Sequence, residues 1–134
     1  MMVMMALVMT DSGMTALLGE TIANSVGFVF PVLSPFIGVL GTFMTGSNTN
    51  SNIMFGALQM ETAKALGVSS VIIATVQSIG GSFGSSIAPA KVMVATAIVG
   101  LNGKENEVLK RTIPYCIATV LLAGIEASII INFF

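Results

Sequence analysis

Two stretches of this chain carry groups able to do chemistry. The first is Ser47-Asn48-Thr49-Asn50-Ser51-Asn52, set in the eight-residue polar run TGSNTNSN that starts at Thr45. Hydroxyl and amide oxygens, with freed backbone carbonyls, can ligate a hard cation. Hydroxyls, amide NH2 groups and exposed backbone N–H groups can bind a carboxylate. The second is GGSFGSSIAPAK, residues 80–91. Gly80, Gly81 and Gly84 permit close backbone approach, Ser85 and Ser86 supply hydroxyls, and Lys91 supplies a cation that can balance a carboxylate. The plain alternatives are solvated loops for both stretches, and for Lys91 a snorkelling role or pairing with an acid on another helix.

Other chemistry is excluded by what is missing. The chain has no His, so the commonest general base and metal ligand is absent. Its single cysteine, Cys116, cannot form an intrachain disulfide or a cysteine metal cluster, and in its apolar run it reads as a packing residue. The ten methionines read as packing filler rather than metal ligands. No nucleophile–base arrangement or phosphate loop is present, so an enzyme is not expected, and neither is a cofactor. Five basic residues and a net charge of −1 leave no electrostatic footprint for nucleic acid.

The elements that must position these groups belong to a membrane. Charged residues make up 8% of the 134 positions and apolar ones 54%, against about 25% charged in soluble domains. Five of the eleven charges fall between Lys104 and Arg111. Residues 1–9 are apolar but too short to span, and with no basic segment before them they read as the end of a helix rather than a signal peptide. Residues 14–27 place Leu17, Leu18, Ile22 and Val26 at helical spacing, with Glu20 and Asn24 on another face. They suit a helix packed in a bundle or lying at an interface.

Residues 21–60 contain no charge. A spanning helix needs about 20 apolar residues, so two spans would fit by length, but the polar run sits in the middle. Phe36 to Thr45 and Ile53 to Thr62 are ten residues each. That spacing predicts a re-entrant hairpin over 28–66, its polar tip near the midplane, because irregular backbone at that depth must be shielded by protein or line a water-filled cavity. Residues 69–101 predict one discontinuous helix unwound around Gly80–Lys91, or two short elements that each stop halfway. Residues 102–111 form the plainly aqueous loop. Residues 112–134 predict the last transmembrane helix, with Tyr115 as an interfacial anchor. Glu126 is either a functional intramembrane acid or exposed near the interface. Lys104, Lys110 and Arg111 place the 102–111 loop in the cytoplasm by the positive-inside rule. The fold class expected is therefore all-α and integral to the membrane.

The ordered motifs PFIGVLGTFMTGSNTNSNIMFGALQ (35–59), GGSFGSSIAPAK and VGLNGKENEVLKR (99–111) closely resemble the C-terminal part of the L-lactate permease family, over essentially the whole chain. That resemblance implies a multi-pass protein of the bacterial or archaeal inner membrane, a symporter of lactate, glycolate or a related 2-hydroxymonocarboxylate. Its coupling cation would be H+ or Na+. The family is distantly similar to a wider group of ion transporters in which Ser-Asn-Thr triplets at hairpin tips bind sodium and carboxylate, as Ser47-Asn48-Thr49 would here. In that group two inverted repeats each supply a hairpin and a broken helix, and this chain matches the second set. Ser47, Asn48, Thr49, Asn50, Gly80, Gly81, Ser85, Ser86 and Lys91 are accordingly the expected substrate and ion ligands. The chain departs from the family's pattern at Ser85, where many members carry a Lys, and at Ala88-Pro89-Ala90, where they carry a polar-Pro-Gln segment.

Three or so spans cannot enclose a polar tip, since an unsatisfied backbone group in lipid costs several kcal/mol. A missing N-terminal half or a second chain is expected to cover it. The alternatives are a membrane-embedded structural or assembly subunit, or an inactive truncated relic.

Overall fold

The computed structural model describes residues 2–133, and the described residues contain helices and turns but no strand. In chain order the helices are α1 (Met2–Asp11), α2 (Met14–Val26), α3 (Phe30–Thr45), α4 (Asn48–Leu66), α5 (Ser70–Gly84), α6 (Pro89–Ile98) and α7 (Glu105–Phe133). A single 3-10 turn, Gly27–Val29, joins α2 to α3. Three helical stretches are long and apolar enough to cross a membrane by length and composition: Met14–Thr45, Ser70–Ile98 and Glu105–Phe133.

The α3–α4 pair is a tight helical hairpin. Gly46 ends α3 at φ 70, a left-handed conformation that costs glycine little, and its N–H bonds the Thr42 carbonyl. One residue later the chain starts again. Ser47 takes an extended conformation, and its side chain accepts from the Asn50 N–H, capping α4. Asn48 to Asn52 thus form the first turns of α4 rather than an unwound tip. The arms are also longer than the ten-residue half-spans expected from the sequence. They run 16 and 19 residues, about 24 and 28 Å at 1.5 Å per residue. The polar run misled because Asn, Ser and Thr favour helix starts as strongly as loops.

The expected break between 69 and 101 narrows to Ser85–Ala88, with Pro89 in the first turn of α6. Gly80, Gly81 and Gly84 lie inside α5. Their use is packing. A Cβ on Gly80 would collide with the Pro35 carbonyl of α3, and one on Gly38 with the Gln77 carbonyl of α5. Small residues let helix backbones approach this closely in membranes, where apolar burial does not itself drive helices together. Gly124 of α7 makes the same kind of approach, to the Val32 backbone of α3. So α3 is the central helix, with α4, α5 and α7 around it.

Two small apolar clusters complete the interior. Phe30, Ala63 and Ile73 pack together, flanked by Ile37 and Ile131 among others. Ile87, Cys116 and Val120 form the second, against Phe36 and Val39. Large apolar side chains such as Met44, Ile98, Leu122 and Phe133 stay exposed. Such a surface would aggregate in water and is suited to lipid or to another protein surface.

Candidate functional site

Asn48 begins α4 and reaches across to α5. Its Nδ2 donates to the Ser78 carbonyl at 3.2 Å and to Ser82 Oγ at 2.9 Å. A carbonyl only accepts, so the first bond dictates which way the amide points. Asn48 Oδ1 therefore turns the other way, onto the Cα face of Gly81, where any side chain would displace it. One turn on, Asn52 Nδ2 donates to Ser78 Oγ at 2.9 Å. The hairpin tip is thus docked on the last two turns of α5, beside the break.

Asn48 spends both of its N–H donors in this docking, and several oxygens find no partner. Thr42 Oγ1, Asn48 Oδ1 and Asn52 Oδ1 are buried without a hydrogen-bond partner. Thr42 Oγ1 and Asn48 Oδ1 both face Gly81. Spare oxygens in a low-dielectric interior favour a cation or a water over a carboxylate.

The other expected residues are distributed as follows. Ser47 is consumed as the helix cap, Thr49 is exposed, and Asn50 is half-buried with its N–H on Ser47. Gly80 and Gly81 are buried at the α3–α5 contact. Across the break, Lys91 Nζ donates to Ser85 Oγ, and Ser86 Oγ bonds the Phe83 carbonyl. Lys91 and Ser86 are exposed. Lys91 stands in the first turn of α6, a helix end that already carries partial positive charge. Both features favour an anion there. No hydrogen bond among the described residues joins the tip to Ser85, Ser86 or Lys91. The expected ligands therefore fall into two groups, one around Asn48 and one around Lys91.

Below the tip runs a buried polar ladder that the motif reading missed. Gln59 Nε2 donates to the Ser34 carbonyl and to Gln77 Oε1, at 2.9 and 2.8 Å. Gln59 Oε1 accepts from Ser34 Oγ at 2.9 Å. Gln77 Nε2 donates to Ser51 Oγ at 3.4 Å, and Ser51 Oγ donates to the Gly38 carbonyl at 3.0 Å. Gln59 and Gln77 are 0% and 1% exposed. The signal available in the sequence was spacing. Asn48, Asn52 and Gln59 recur along one side of α4, as Ser78 and Ser82 do along α5.

Taken together, these features define the class: an all-helical membrane protein whose amides and hydroxyls converge inside the bundle rather than on its surface. The family model for L-lactate permease matches residues 1–134. The chain belongs to the L-lactate permease family, a family of transporters rather than enzymes. It is 42% identical over 120 residues to the L-lactate permease of Bacillus subtilis (strain 168), covering 90% of this chain and 21% of that protein. It is 38% identical over 125 residues to the glycolate permease GlcA of Escherichia coli (strain K12), covering 93% of this chain and 22% of that one. A putative L-lactate permease of Haemophilus influenzae (strain ATCC 51907 / DSM 11121 / KW20 / Rd) is 30% identical over 133 residues, 99% of this chain and 25% of that protein. The chain thus spans about a fifth to a quarter of the length of these relatives. No solved structure matches it.

Proposed function

We propose that this chain is the C-terminal part of a secondary symporter for L-lactate, glycolate or a related 2-hydroxymonocarboxylate, multi-pass in the cell inner membrane. The observation that carries the reading is the docking of Asn48 onto the broken helix at Ser78, Ser82 and Gly81. A hairpin meeting an unwound helix is the arrangement in which transporters hold small ions and acids at mid-membrane. The hairpin is re-entrant in this reading, and the chain supplies the second of two inverted repeats. The other half of the site comes from an N-terminal half or a second chain.

The two groups of residues divide the work. Thr42, Asn48 and Asn52 offer buried acceptor oxygens to the coupling cation, H+ carried on water or Na+. Ser85, Ser86, Lys91 and the start of α6 offer positive charge and hydroxyls to the carboxylate, and Thr49 and Asn50 at the start of α4 are further ligands in this reading. Neutral ligands on the cation side suit release as well as capture. Symport follows if the loaded site favours one arrangement of the bundle over the other.

Uptake of labelled L-lactate by the native-length protein in cells or proteoliposomes tests the reading. Asn48→Ala and Thr49→Ala are expected to abolish uptake at unchanged membrane expression, and Lys91→Ala to raise the lactate concentration needed for half-maximal rate. Unimpaired uptake in both tip variants would reduce the hairpin end to a connecting turn.

A further inference from the structure

The ladder beneath the tip has a property the site itself lacks: its side chains are fully buried and satisfy one another in a fixed direction. The Ser34 carbonyl can only accept, so it dictates the orientation of the Gln59 amide. Gln59 must then present Oε1 to Ser34 Oγ and its second N–H to Gln77 Oε1. Gln77 is left with its NH2 toward Ser51, and the Ser51 hydroxyl donates to the Gly38 carbonyl. Each orientation follows from the one before. Three helices are joined, α3 through Ser34 and Gly38, α4 through Ser51 and Gln59, and α5 through Gln77.

All three side-chain hydrogen-bonding groups of Gln59 are satisfied, and the four side chains of the ladder are 0–1% exposed. Parting α4 from α5 would strand two glutamines where no water can replace the lost partners. The same seam holds the backbone approaches of Gly38 and Gly80, which tolerate no change of register. By contrast, the Asn48–Ser82 bond just above it is exposed.

We infer that Gln59 and Gln77 are positioning residues for the proposed transport site. They bind α3, α4 and α5 into one unit, so that Asn48 and Asn52 stay docked on α5 throughout the cycle and the hairpin does not open against α5 to admit substrate. This rests on the transport reading for its functional consequence, though the lock itself can be measured without it.

The test uses the native-length protein in liposomes, spin-labelled at Met44→Cys on α3 and Phe83→Cys on α5. Both positions are exposed, at 71% and 40%, lie near the tip end of the seam and belong to neither ligand group. The expected result is one narrow distance that does not move when L-lactate is added. In the Gln59→Leu/Gln77→Leu double variant the distance broadens, and lactate uptake falls about three- to tenfold, the size of one or two interhelical hydrogen bonds. The double variant removes both partners of the Gln59–Gln77 bond together, so neither amide is left facing an apolar side chain, and its melting temperature in detergent is expected to stay closer to the parent's than that of Gln77→Leu alone. A lactate-dependent shift or a two-peaked distribution in the parent would overturn the inference, as would parental distance width and uptake in the double variant. If the parent takes up no L-lactate, the transport reading fails. The parent and double-variant widths then still decide the lock, equal widths counting against it.

Discussion

The seam where α3, α4 and α5 meet and the limb formed by α6 and the start of α7 are built on opposite plans. At the seam, glycines bring backbones together and every ladder side chain is buried and paired. In the limb, α6 buries only Val92 and Thr96 among its ten described residues and leaves Ile98 80% exposed. One polar contact ties α6 to the start of α7, from Thr96 Oγ1 to Glu105 Oε1 at 3.4 Å. Both regions carry proposed ligands, Asn48 at the edge of the first and Lys91 on the second. The difference teaches that polar content alone does not mark a mobile or a ligand-holding region of a membrane helix. What matters is whether the polar groups satisfy one another. Where they do, they fasten helices; where they do not, as at the spare oxygens near Gly81, or where the contact is exposed, as between Lys91 and Ser85, they remain available to a ligand.

Four substitutions break or sharpen that contrast. Gly80→Val should have the largest effect, because its Cβ would strike the Pro35 backbone, which cannot move aside as a side chain could. The expected cost is about 4 kcal/mol or more, read as loss of folded protein on detergent extraction. A well-folded Gly80→Val protein would show that the seam is looser than its geometry. Gln77→Leu should follow, at about 1–2 kcal/mol, since it strands the second N–H of Gln59. A melting curve would show it, with part of the loss recovered in the Gln59→Leu/Gln77→Leu double variant; additive losses would mean the two amides do not act as a pair. Ser47→Ala removes the α4 cap and should cost about 1 kcal/mol, again by melting. Val94→Ala, on the exposed side of α6, should change stability by less than about 0.5 kcal/mol. A larger loss in the isolated chain would place hidden packing in the limb.

Much of the helical layout was legible in the sequence. Long uncharged stretches marked where the apolar helices run, but the 102–111 segment, read as an aqueous loop, supplies the first turns of α7 from Glu105 onward. The polar run at 45–52 marked the right place with the wrong shape, because cap chemistry and loop chemistry use the same residues. The glycines at 80, 81 and 84 read as part of the break, whereas the structure keeps them in α5 and uses them for helix–helix contact, since the same residue permits both. Asn48 was legible as a candidate ligand, but its partners Ser78 and Ser82 stood out by spacing only. Gln59 and Gln77, eighteen residues apart, had no local signature as a pair.

The sequence by itself determined that the chain is helical and membrane-bound in character, and where its polar interruptions fall. Those are properties of runs of neighbouring residues, set by apolar length, charge and turn chemistry. Which polar groups are spent and which are spare was decided only by the tertiary structure. A hydrogen-bond partner is a matter of distance in space, and here the partners lie on helices 13 to 34 residues away along the chain.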